Sequence, residues 1–249
     1  MSNSKIAWTK QTITNITSCS KYSRGCANCY SLRQGNRMKA LHPKKYGANP
    51  EVVCHHGILD RILDRKTPTT VFLNSMSDTF HSKVPLSFLQ YTFGIMQQAS
   101  QHNFQVLTKR AERLAQVAHS LPWPENIWQG VTVEANECLH RADLLKEVPA
   151  NVRFLSIEPL LDKLVDLTPK LLDGIDWVIV GGESGPGARR MELDWARSIM
   201  ETCRIAEVPF FFKQCGSAHG KHKGGEKLDG KIIQQWPDMK AIKARGPRW

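Results

Sequence analysis

The sequence lacks several features that would place it in a specialised class of protein. No apolar run in its 249 residues approaches the roughly 18 that a membrane-spanning helix needs, and the N-terminal stretch MSNSKIAWTK has no apolar core of the signal-peptide type. Low-complexity segments and internal repeats are missing too. Hydrophobic residues make up 41% and charged residues 23%, which excludes disorder for most of the chain. We therefore expect a cytoplasmic protein without a membrane partner, built as one large or two small α/β domains.

Acidic residues are scarce at both ends of the chain. Residues 1–66 hold 12 Lys or Arg and 3 Asp or Glu, residues 213–249 hold 9 and 3, and residues 67–212 hold 13 and 17. The net charge of +11 thus comes from two basic ends that flank a mildly acidic body. A charge of this size exceeds the magnitude of about 2–8 that serves solubility in a small domain. It favours a polyanionic partner, most simply nucleic acid, over generic surface charge.

The seven cysteines do not form the pattern of a disulfide scaffold, because their number is odd and no secretion signal precedes them. Three of them, Cys19, Cys26 and Cys29, are spaced C-x6-C-x2-C within residues 18–30, which we call the cysteine loop. Thiolates bind soft metals, and closely spaced cysteines in a loop can reach one metal centre. The loop is therefore the sharpest local signal of chemistry in the chain.

Three thiolates leave one coordination position to explain. A structural zinc ion would need a fourth protein ligand, for which Cys54, His55 and His56 are the candidates. An iron–sulfur cluster could instead keep its fourth iron open for a substrate or cofactor. Reduced cysteines without any metal are the third interpretation, and the loop by itself does not choose among the three.

Short β-branched or aromatic runs alternate with longer helical stretches along most of the chain. The predicted strands are 12–17, 71–76, 104–110, 127–134, 153–159, 177–183 and 209–215. The predicted helices are 85–101, 110–119, 136–147, 161–173 and 192–206. This alternation predicts an α/β fold, a partial (β/α) barrel of about six to seven parallel strands over residues 1–215, with residues 216–249 as a basic C-terminal extension packed on it. A doubly wound open sheet is the alternative, but no G-x-G-x-x-G follows the first strand.

Each predicted strand ends in polar or charged residues, and the site of such a barrel lies at the C-terminal ends of its strands. Three successive strands end in Glu after largely apolar runs, which predicts a functional rim rather than ordinary strand ends. After the sixth strand, the segment GGESGPGARR has glycines that let a ligand approach the backbone. The candidate rim residues are Asn74, Ser75, Ser77, Asp78, Lys109, Glu134, Glu158, Gly181, Gly182, Glu183 and Cys215.

These motifs together resemble a known family. The matching pieces are TSCSKYSRGCANCY (17–30), NSMSDTF (74–80), LTKR (107–110), GVTVE (130–134), FLSIEPL (154–160), VGGESG (180–185) and FKQCG (212–216). In them the chain resembles an uncharacterised phage and mobile-element family with a three-cysteine motif, which is similar to the radical S-adenosylmethionine (SAM) superfamily. The chain departs from the superfamily in having C-x6-C where C-x3-C is usual, and in having Gly-Gly-Glu after the sixth rather than the second strand.

The resemblance implies a fold of radical SAM type and an enzyme that cleaves SAM reductively to modify or repair a nucleic acid. Cys19, Cys26 and Cys29 would hold a [4Fe-4S] cluster, with SAM on the open iron and a 5′-deoxyadenosyl radical as the oxidant. A flavodoxin or ferredoxin would supply the electron, and a dedicated partner protein is also expected. The zinc-stabilised nucleic-acid-binding protein and a metal-independent barrel hydrolase that uses the strand-end carboxylates remain the alternatives.

The resemblance also implies roles for the rim residues. The NSMSD segment, through Asn74, Ser75, Ser77 and Asp78, would contact the methionine part or the ribose of SAM. Lys109 and Arg110 would balance a carboxylate or phosphate, and Gly181, Gly182 and Glu183 would contribute to cofactor binding. Glu134 and Glu158 would hold ribose hydroxyls or the substrate. Cys215 would return a hydrogen atom to a substrate radical, unless it is a buried structural thiol.

Overall fold

The computed structural model describes residues 2–41, 51–217, 224–246 and 248. The strands are β1 Ser2–Asn3, β2 Gln11–Ile13, β3 Ile16–Thr17, β4 Val53–Cys54, β5 Thr70–Leu73, β6 Asn103–Thr108, β7 Ile127–Thr132, β8 Val152–Ile157, β9 Trp177–Gly181, β10 Phe210–Gln214, β11 Lys227–Leu228 and β12 Lys231–Ile232. The α-helices are α1 Tyr30–Leu41, α2 Leu86–Gln98, α3 Ala111–Ala118, α4 His140–Lys146, α5 Leu193–Ile205 and α6 Met239–Arg245. Among the helices described, none has the length and apolarity to cross a membrane.

One eight-stranded sheet organises the molecule, in the order β1-β2-β5-β6-β7-β8-β9-β10. The short β1 is antiparallel to β2, and the other seven strands are parallel to one another. Helices between the parallel strands cover the outer face, so the sheet forms an α/β half-barrel, which confirms the predicted fold class. All seven predicted strands are present, with ends shifted by a few residues.

The first predicted strand, 12–17, is divided in two. β2 pairs with β5, whereas β3 leaves the main sheet and pairs with β4. The cause lies in Asn74, whose side-chain oxygen accepts the backbone N–H groups of Asn15 (3.0 Å) and Ile16 (3.1 Å). Those N–H groups are therefore satisfied without a neighbouring strand, and the chain turns towards the cysteine loop.

The predicted helix at 161–173 is wrong. Its apolar residues recur at helical spacing and are buried, but the backbone there forms successive turns. Pro169 disfavours helical dihedrals at the residue before it. The backbone hydrogen bonds that form there close isolated turns, such as those from the Leu172 N–H to the oxygens of Thr168 (3.3 Å) and Pro169 (3.1 Å). Conversely, α1 follows the last loop cysteine directly where no helix was predicted.

Aromatic side chains fill the concave face of the half-barrel. Trp8, Phe72, Trp128, Phe154 and Trp177 belong to one buried cluster that is separate from the larger core between sheet and helices. The Trp8 and Phe72 ring centroids are 4.6 Å apart. Because these rings occupy the interior, open space remains only towards the C-terminal ends of the strands.

The described part of the C-terminal segment packs against the free edge of β10. The Phe212 N–H donates to the Ile233 oxygen (2.7 Å), and the ring of Trp236 stacks on Trp177 at 4.7 Å. Arg245, at the end of α6, pairs with Asp176 at 2.6 Å. These contacts cover an edge that would otherwise expose unpaired backbone groups. The division into domains at residue 215 stays a prediction, and residues 218–223 lie outside the described part of the chain.

Candidate functional site

A cavity of about 740 Å³ opens at the C-terminal ends of the parallel strands, and we call it the central cavity. Trp8 and Phe72 of the aromatic cluster contribute to its lining. Its polar wall combines the cysteine loop with the ends of β6, β7, β8 and β10. Ten predicted site residues line it: Cys19, Cys26, Cys29, Asn74, Ser75, Ser77, Asp78, Lys109, Glu158 and Glu183. Glu134, Gly181, Gly182 and Cys215 lie outside this lining.

The three loop cysteines reach the central cavity from different local structures. Cys19 follows Ser18, which has a left-handed φ of 67° just after β3. Cys26 ends a short 3-10 turn, Arg24–Cys26, and Cys29 immediately precedes α1. All three thiols are free and half-buried. The loop thus presents three separated thiols to one enclosed space.

Glu134 holds the cysteine loop from behind rather than facing the cavity. Its carboxylate is fully buried and accepts hydrogen bonds from Arg141 (2.9 Å), from the Ser23 hydroxyl and from the Gly25 N–H (3.4 Å). A Cβ on Gly25 would lie 2.9 Å from the carboxylate, so only glycine allows this approach. Burial opposes ionisation of Glu134, but the charges of Lys109 and Arg141 outweigh it and lower the pKa of the carboxyl group.

Glu183 joins the cysteine loop to the loop after β9. It pairs with Arg189 through two guanidinium nitrogens (2.9 and 2.6 Å) and accepts a bond from the Asn28 side chain (3.0 Å). Asn28 lies between Cys26 and Cys29 and also donates to the Gly187 oxygen (2.6 Å). The Glu183 carboxylate, which was expected to contribute to cofactor binding, is therefore already hydrogen-bonded to protein groups.

Asp78 and Arg110 form a buried pair at the third side of the cysteine loop. Asp78 accepts from Arg110 Nη1 (2.8 Å) and from the Thr108 hydroxyl (2.6 Å). Arg110 also donates to the oxygen (3.2 Å) and hydroxyl (3.1 Å) of Ser20, and its Nη1 lies 4.0 Å from Cys19 Sγ. Burial and the charge of Asp78 raise the pKa of Cys19 to about 11, although Arg110 opposes the shift.

The NSMSD segment positions the chain on both sides of the cysteines. Asn74 has a left-handed φ of 59° and a buried side chain that bonds β3, as described above. The Ser75 oxygen accepts a bond from the Tyr30 hydroxyl, and the Met76 oxygen accepts one from the Ser31 hydroxyl. Tyr30 and Ser31 are the first residues of α1, so this segment fixes the helix that starts beside Cys29.

The opposite wall carries an ion pair that the strand-end pattern only partly revealed. The Lys213 ammonium contacts both oxygens of Glu158 (2.6 and 2.7 Å), and the Gln214 amide donates to the same carboxylate (2.8 Å). Lys213 and Gln214 were visible at the end of a predicted strand but not singled out as site residues.

Some polar groups on the cavity wall, such as those of Lys109 and Ser184, make no hydrogen bond within the described residues. The Lys109 ammonium is half-buried and makes no hydrogen bond or ion pair within the described residues. The Ser184 hydroxyl is buried and likewise has no hydrogen-bond partner in that part of the chain. Both are donors, so the wall retains capacity for an anionic or oxygen-rich ligand.

Cys215 and the two glycines of GGES occupy a different place from the one expected. Cys215 lines a neighbouring cavity of about 480 Å³ beside Arg189 and Arg190, with its Sγ 3.9 Å from the Lys227 oxygen. A Cβ on Gly182 would lie 1.9 Å from the Cys215 oxygen, so this glycine permits the close approach of the β9 and β10 ends. The structure does not bring these residues to the central cavity, and their predicted roles remain predictions.

The donor set of the cysteine loop suits a soft metal centre, but the thiols are not gathered around one point. Among the residues described, no group of three or more His, Cys, Asp or Glu side chains is arranged to hold a metal ion. The three thiols do face one cavity, with their loop clamped by Glu134, Glu183 and Arg110. Three thiolates beside an open space are the ligands that an iron–sulfur cluster with one free iron requires.

The candidate fourth ligands of a zinc site lie elsewhere. Cys54, His55 and His56 do not line the central cavity. The His55 ring bonds the Thr17 hydroxyl (2.9 Å), and the His56 ring packs on Tyr91 at 4.6 Å. The geometry therefore gives no support to a zinc site completed by these residues.

Comparisons with known proteins agree with the fold. The sequence model of a family described as "Protein of unknown function (DUF5131)" matches residues 3–237. No curated protein matches the sequence. Spore photoproduct lyase complexed with dinucleoside spore photoproduct has a similar structure, with a TM-score of 0.50 and 14% identity over 81% of this chain and 62% of that one. A double mutant of that lyase with bound AdoMet and dinucleoside spore photoproduct has a TM-score of 0.47 and 13% identity, with the same coverage.

This likeness supports the α/β half-barrel fold and nothing further at such low identity. The chain spans about 62% of the length of the lyase chains that it matches.

Proposed function

The chain belongs to the DUF5131 family, and we propose that it is a radical-SAM-type iron–sulfur enzyme that modifies or repairs a nucleic acid. The observation that carries the proposal is the position of three free thiols on one cavity at the C-terminal ends of a parallel half-barrel. Radical SAM enzymes hold their cluster in the same part of the barrel, on three cysteines of one loop. When bound, the cluster and SAM supply one-electron cleavage of SAM and hydrogen-atom abstraction from the substrate.

The chain's own residues prepare the cavity for such a ligand. Glu134, Glu183 and the Asp78–Arg110 pair hold the cysteine loop from three sides and so support the loop that would bind a cluster. Trp8 and Phe72 give the cavity an apolar part that limits access of water. Lys109 offers an unpaired ammonium for the carboxylate of SAM or a phosphate of the substrate.

A nucleic-acid substrate is proposed from charge and from the fold likeness together. Lys5 belongs to the basic N-terminal region and Lys213 to the basic C-terminal region, and both line the central cavity. The similar structure is that of a lyase with a dinucleoside photoproduct, which is a fragment of nucleic acid. A base inside a duplex would have to be flipped out, or be unpaired already, to enter a cavity of this kind.

The two alternative functions find less support. A metal-independent hydrolase needs carboxylates that are free to act on water, but Asp78 is paired with Arg110, Glu134 with Arg141, Glu158 with Lys213 and Glu183 with Arg189. A zinc-stapled binding protein needs a fourth ligand near the loop, and its candidates do not line the cavity.

Anaerobic purification with quantification of iron, sulfide and zinc tests the proposal. We expect about four irons and four sulfides per chain, lost in Cys26→Ala and retained in the matched control Cys54→Ala. Reduction of the loaded protein in the presence of SAM should then release methionine. One zinc per chain, lost in both variants, would overturn the proposal in favour of a zinc site that includes Cys54.

Fluorescence anisotropy with a single-stranded oligonucleotide tests the substrate class. We expect affinity to fall steeply with salt, and Lys5→Gln to reduce the slope of log K against log salt by about 0.7, the value for one phosphate contact on a single strand. Lys170→Gln, an exposed change in the acidic body, should leave the slope unchanged. Binding that is absent at low salt would refute a nucleic-acid substrate while leaving the cluster assignment intact.

A further inference from the structure

Arg110 is a buried cation that the chemistry above does not use. It lies between β6 and α3, and its side chain and that of its partner Asp78 are each 8% exposed. The sequence suggests that it would meet an anionic group of a ligand. The structure instead directs its guanidinium into the base of the cysteine loop.

The guanidinium is held from several directions. Nη1 donates to Asp78 (2.8 Å), and Nη2 donates to the oxygen (3.2 Å) and the hydroxyl (3.1 Å) of Ser20. The Tyr22 ring packs against its carbon atom at 4.9 Å. Arg110 lines the central cavity, but a planar group that is fixed on these sides cannot move further into the cavity without breaking a buried ion pair.

The same guanidinium contacts one of the three cluster thiols. Nη1 is 4.0 Å from Cys19 Sγ, which is within hydrogen-bonding range for sulfur. The thiols of Cys26 and Cys29 receive no such bond from a cation within the described residues. The three positions of the loop are therefore electrostatically different, and Arg110 is the cation that contacts Cys19.

Resting on the function proposed above, we propose that Arg110 raises the reduction potential of the cluster by donating to Cys19, and that Asp78 limits this effect. Reduction adds one electron to the cluster, and a nearby positive charge or a hydrogen bond to a ligand sulfur stabilises the more negative state. Arg110 is thus a positioning and tuning residue, which acts through Cys19. The pair with Asp78 keeps the guanidinium at the sulfur and offsets part of its charge.

Redox titration of the reconstituted protein, followed by the electron paramagnetic resonance signal of the reduced cluster with dithionite as reductant, tests this inference. We expect Arg110→Gln to lower the equilibrium constant for one-electron reduction at least tenfold, which corresponds to a fall of about 59 mV in midpoint potential. Arg110→Lys keeps the positive charge but loses the forked guanidinium group, so its midpoint potential should lie between those of the wild type and Arg110→Gln. Asp78→Asn should shift the potential upwards, because it removes the opposing charge while its amide oxygen can still accept the Arg110 hydrogen bond that holds the guanidinium at Cys19.

Arg113→Gln is the matched control. Arg113 lies on α3, the helix that begins directly after Arg110. It donates to the Val84 oxygen (2.7 Å) and does not line the central cavity. Its replacement should leave the potential unchanged. Iron and sulfide are quantified in each variant first, so that a lost cluster is not mistaken for a shifted potential.

The outcomes separate this inference from the proposed function. A wild-type protein that takes up no iron overturns both. A wild type with a cluster, and Arg110→Gln with the same cluster and an unchanged potential, overturns the role of Arg110 alone. If Arg110→Gln does not retain the cluster, the opposite shifts expected for Arg110→Lys and Asp78→Asn decide the matter, and equal potentials in those two variants refute it.

Discussion

Replacing Glu134 by Gln tests whether a buried carboxylate behind the cavity holds the cysteine loop. The substitution keeps the shape of the side chain and removes its charge. It leaves Arg141, which is 4% exposed, with the Thr132 oxygen (2.8 Å) as its remaining strong acceptor. An uncompensated buried charge of this kind costs about 3–5 kcal/mol. For a chain of this length each kcal/mol lowers Tm by roughly 2–4 °C, so the variant should unfold about 6–20 °C below the wild type.

The exposed pair of Arg24 with Glu137 provides the matched control. Its two side chains are 54% and 53% exposed and its nitrogen–oxygen distance is 3.3 Å. Surface pairs contribute about 0–1 kcal/mol, so Glu137→Gln should leave Tm nearly unchanged. Glu134→Gln combined with Arg141→Met should recover part of the loss, because it removes the stranded charge. Thermal and urea unfolding followed by circular dichroism measure these differences, and a Glu134→Gln variant within 1 kcal/mol of wild type would refute the reasoning.

Three further predictions concern other parts of the site. Gly182→Ala should destabilise the protein by about 1–3 kcal/mol or more through overpacking, because its Cβ would lie 1.9 Å from a backbone oxygen at the end of β10. Gly94→Ala, at an uncrowded position inside α2, should instead stabilise the protein by up to about 1 kcal/mol. Urea unfolding of the two variants measures both changes. Lys109→Met should weaken the binding of SAM or a nucleotide about tenfold by calorimetry, a loss typical of a hydrogen bond to a charged group, while Lys170→Met should not. Because the pKa of Glu134 is lowered in the folded protein, ionised Glu134 stabilises the fold at pH values above the ordinary glutamate pKa. This stabilisation should be lost as the pH falls through the lowered pKa, so the difference in unfolding free energy between wild type and Glu134→Gln should narrow at low pH. A difference that does not change with pH contradicts this.

The strand-end pattern predicted the rim but not the orientation of its side chains. Glu134 comes two residues after the end of β7 and Glu158 one residue after the end of β8, and the strand register, which pairs Thr132 with Ser156, makes their positions equivalent. Glu158 lines the central cavity and pairs with Lys213, whereas Glu134 turns behind the cysteine loop to meet Arg141 and Ser23. Arg141 lies on the helix that follows β7, but Ser23 and Lys213 come from distant parts of the chain, so the sequence near each glutamate does not predict this difference.

The roles that the family resemblance implied for the NSMSD segment also differ from the contacts that its side chains make in the structure. The NSMSD segment was expected to contact a cofactor, and all five of its residues do line the central cavity. Yet the Asn74 side chain bonds the backbone of Asn15 and Ile16, and Asp78 bonds Arg110. A buried polar side chain at a strand end often forms its hydrogen bonds with other protein groups rather than with a ligand.

Local physics determined the parts of this protein that depend on near neighbours in the chain. Hydrophobic periodicity and turn residues predict seven strands in order, and the 10-residue span from Cys19 to Cys29 places three thiols in one loop without any long-range contact. Long-range packing decided the rest: that β3 leaves the sheet, that Cys215 lies beside a second cavity, and that Arg110 reaches Cys19, 91 residues away. The reason is that a buried charge must be paired, and which partner it finds depends on strands and loops that only the folded chain brings together.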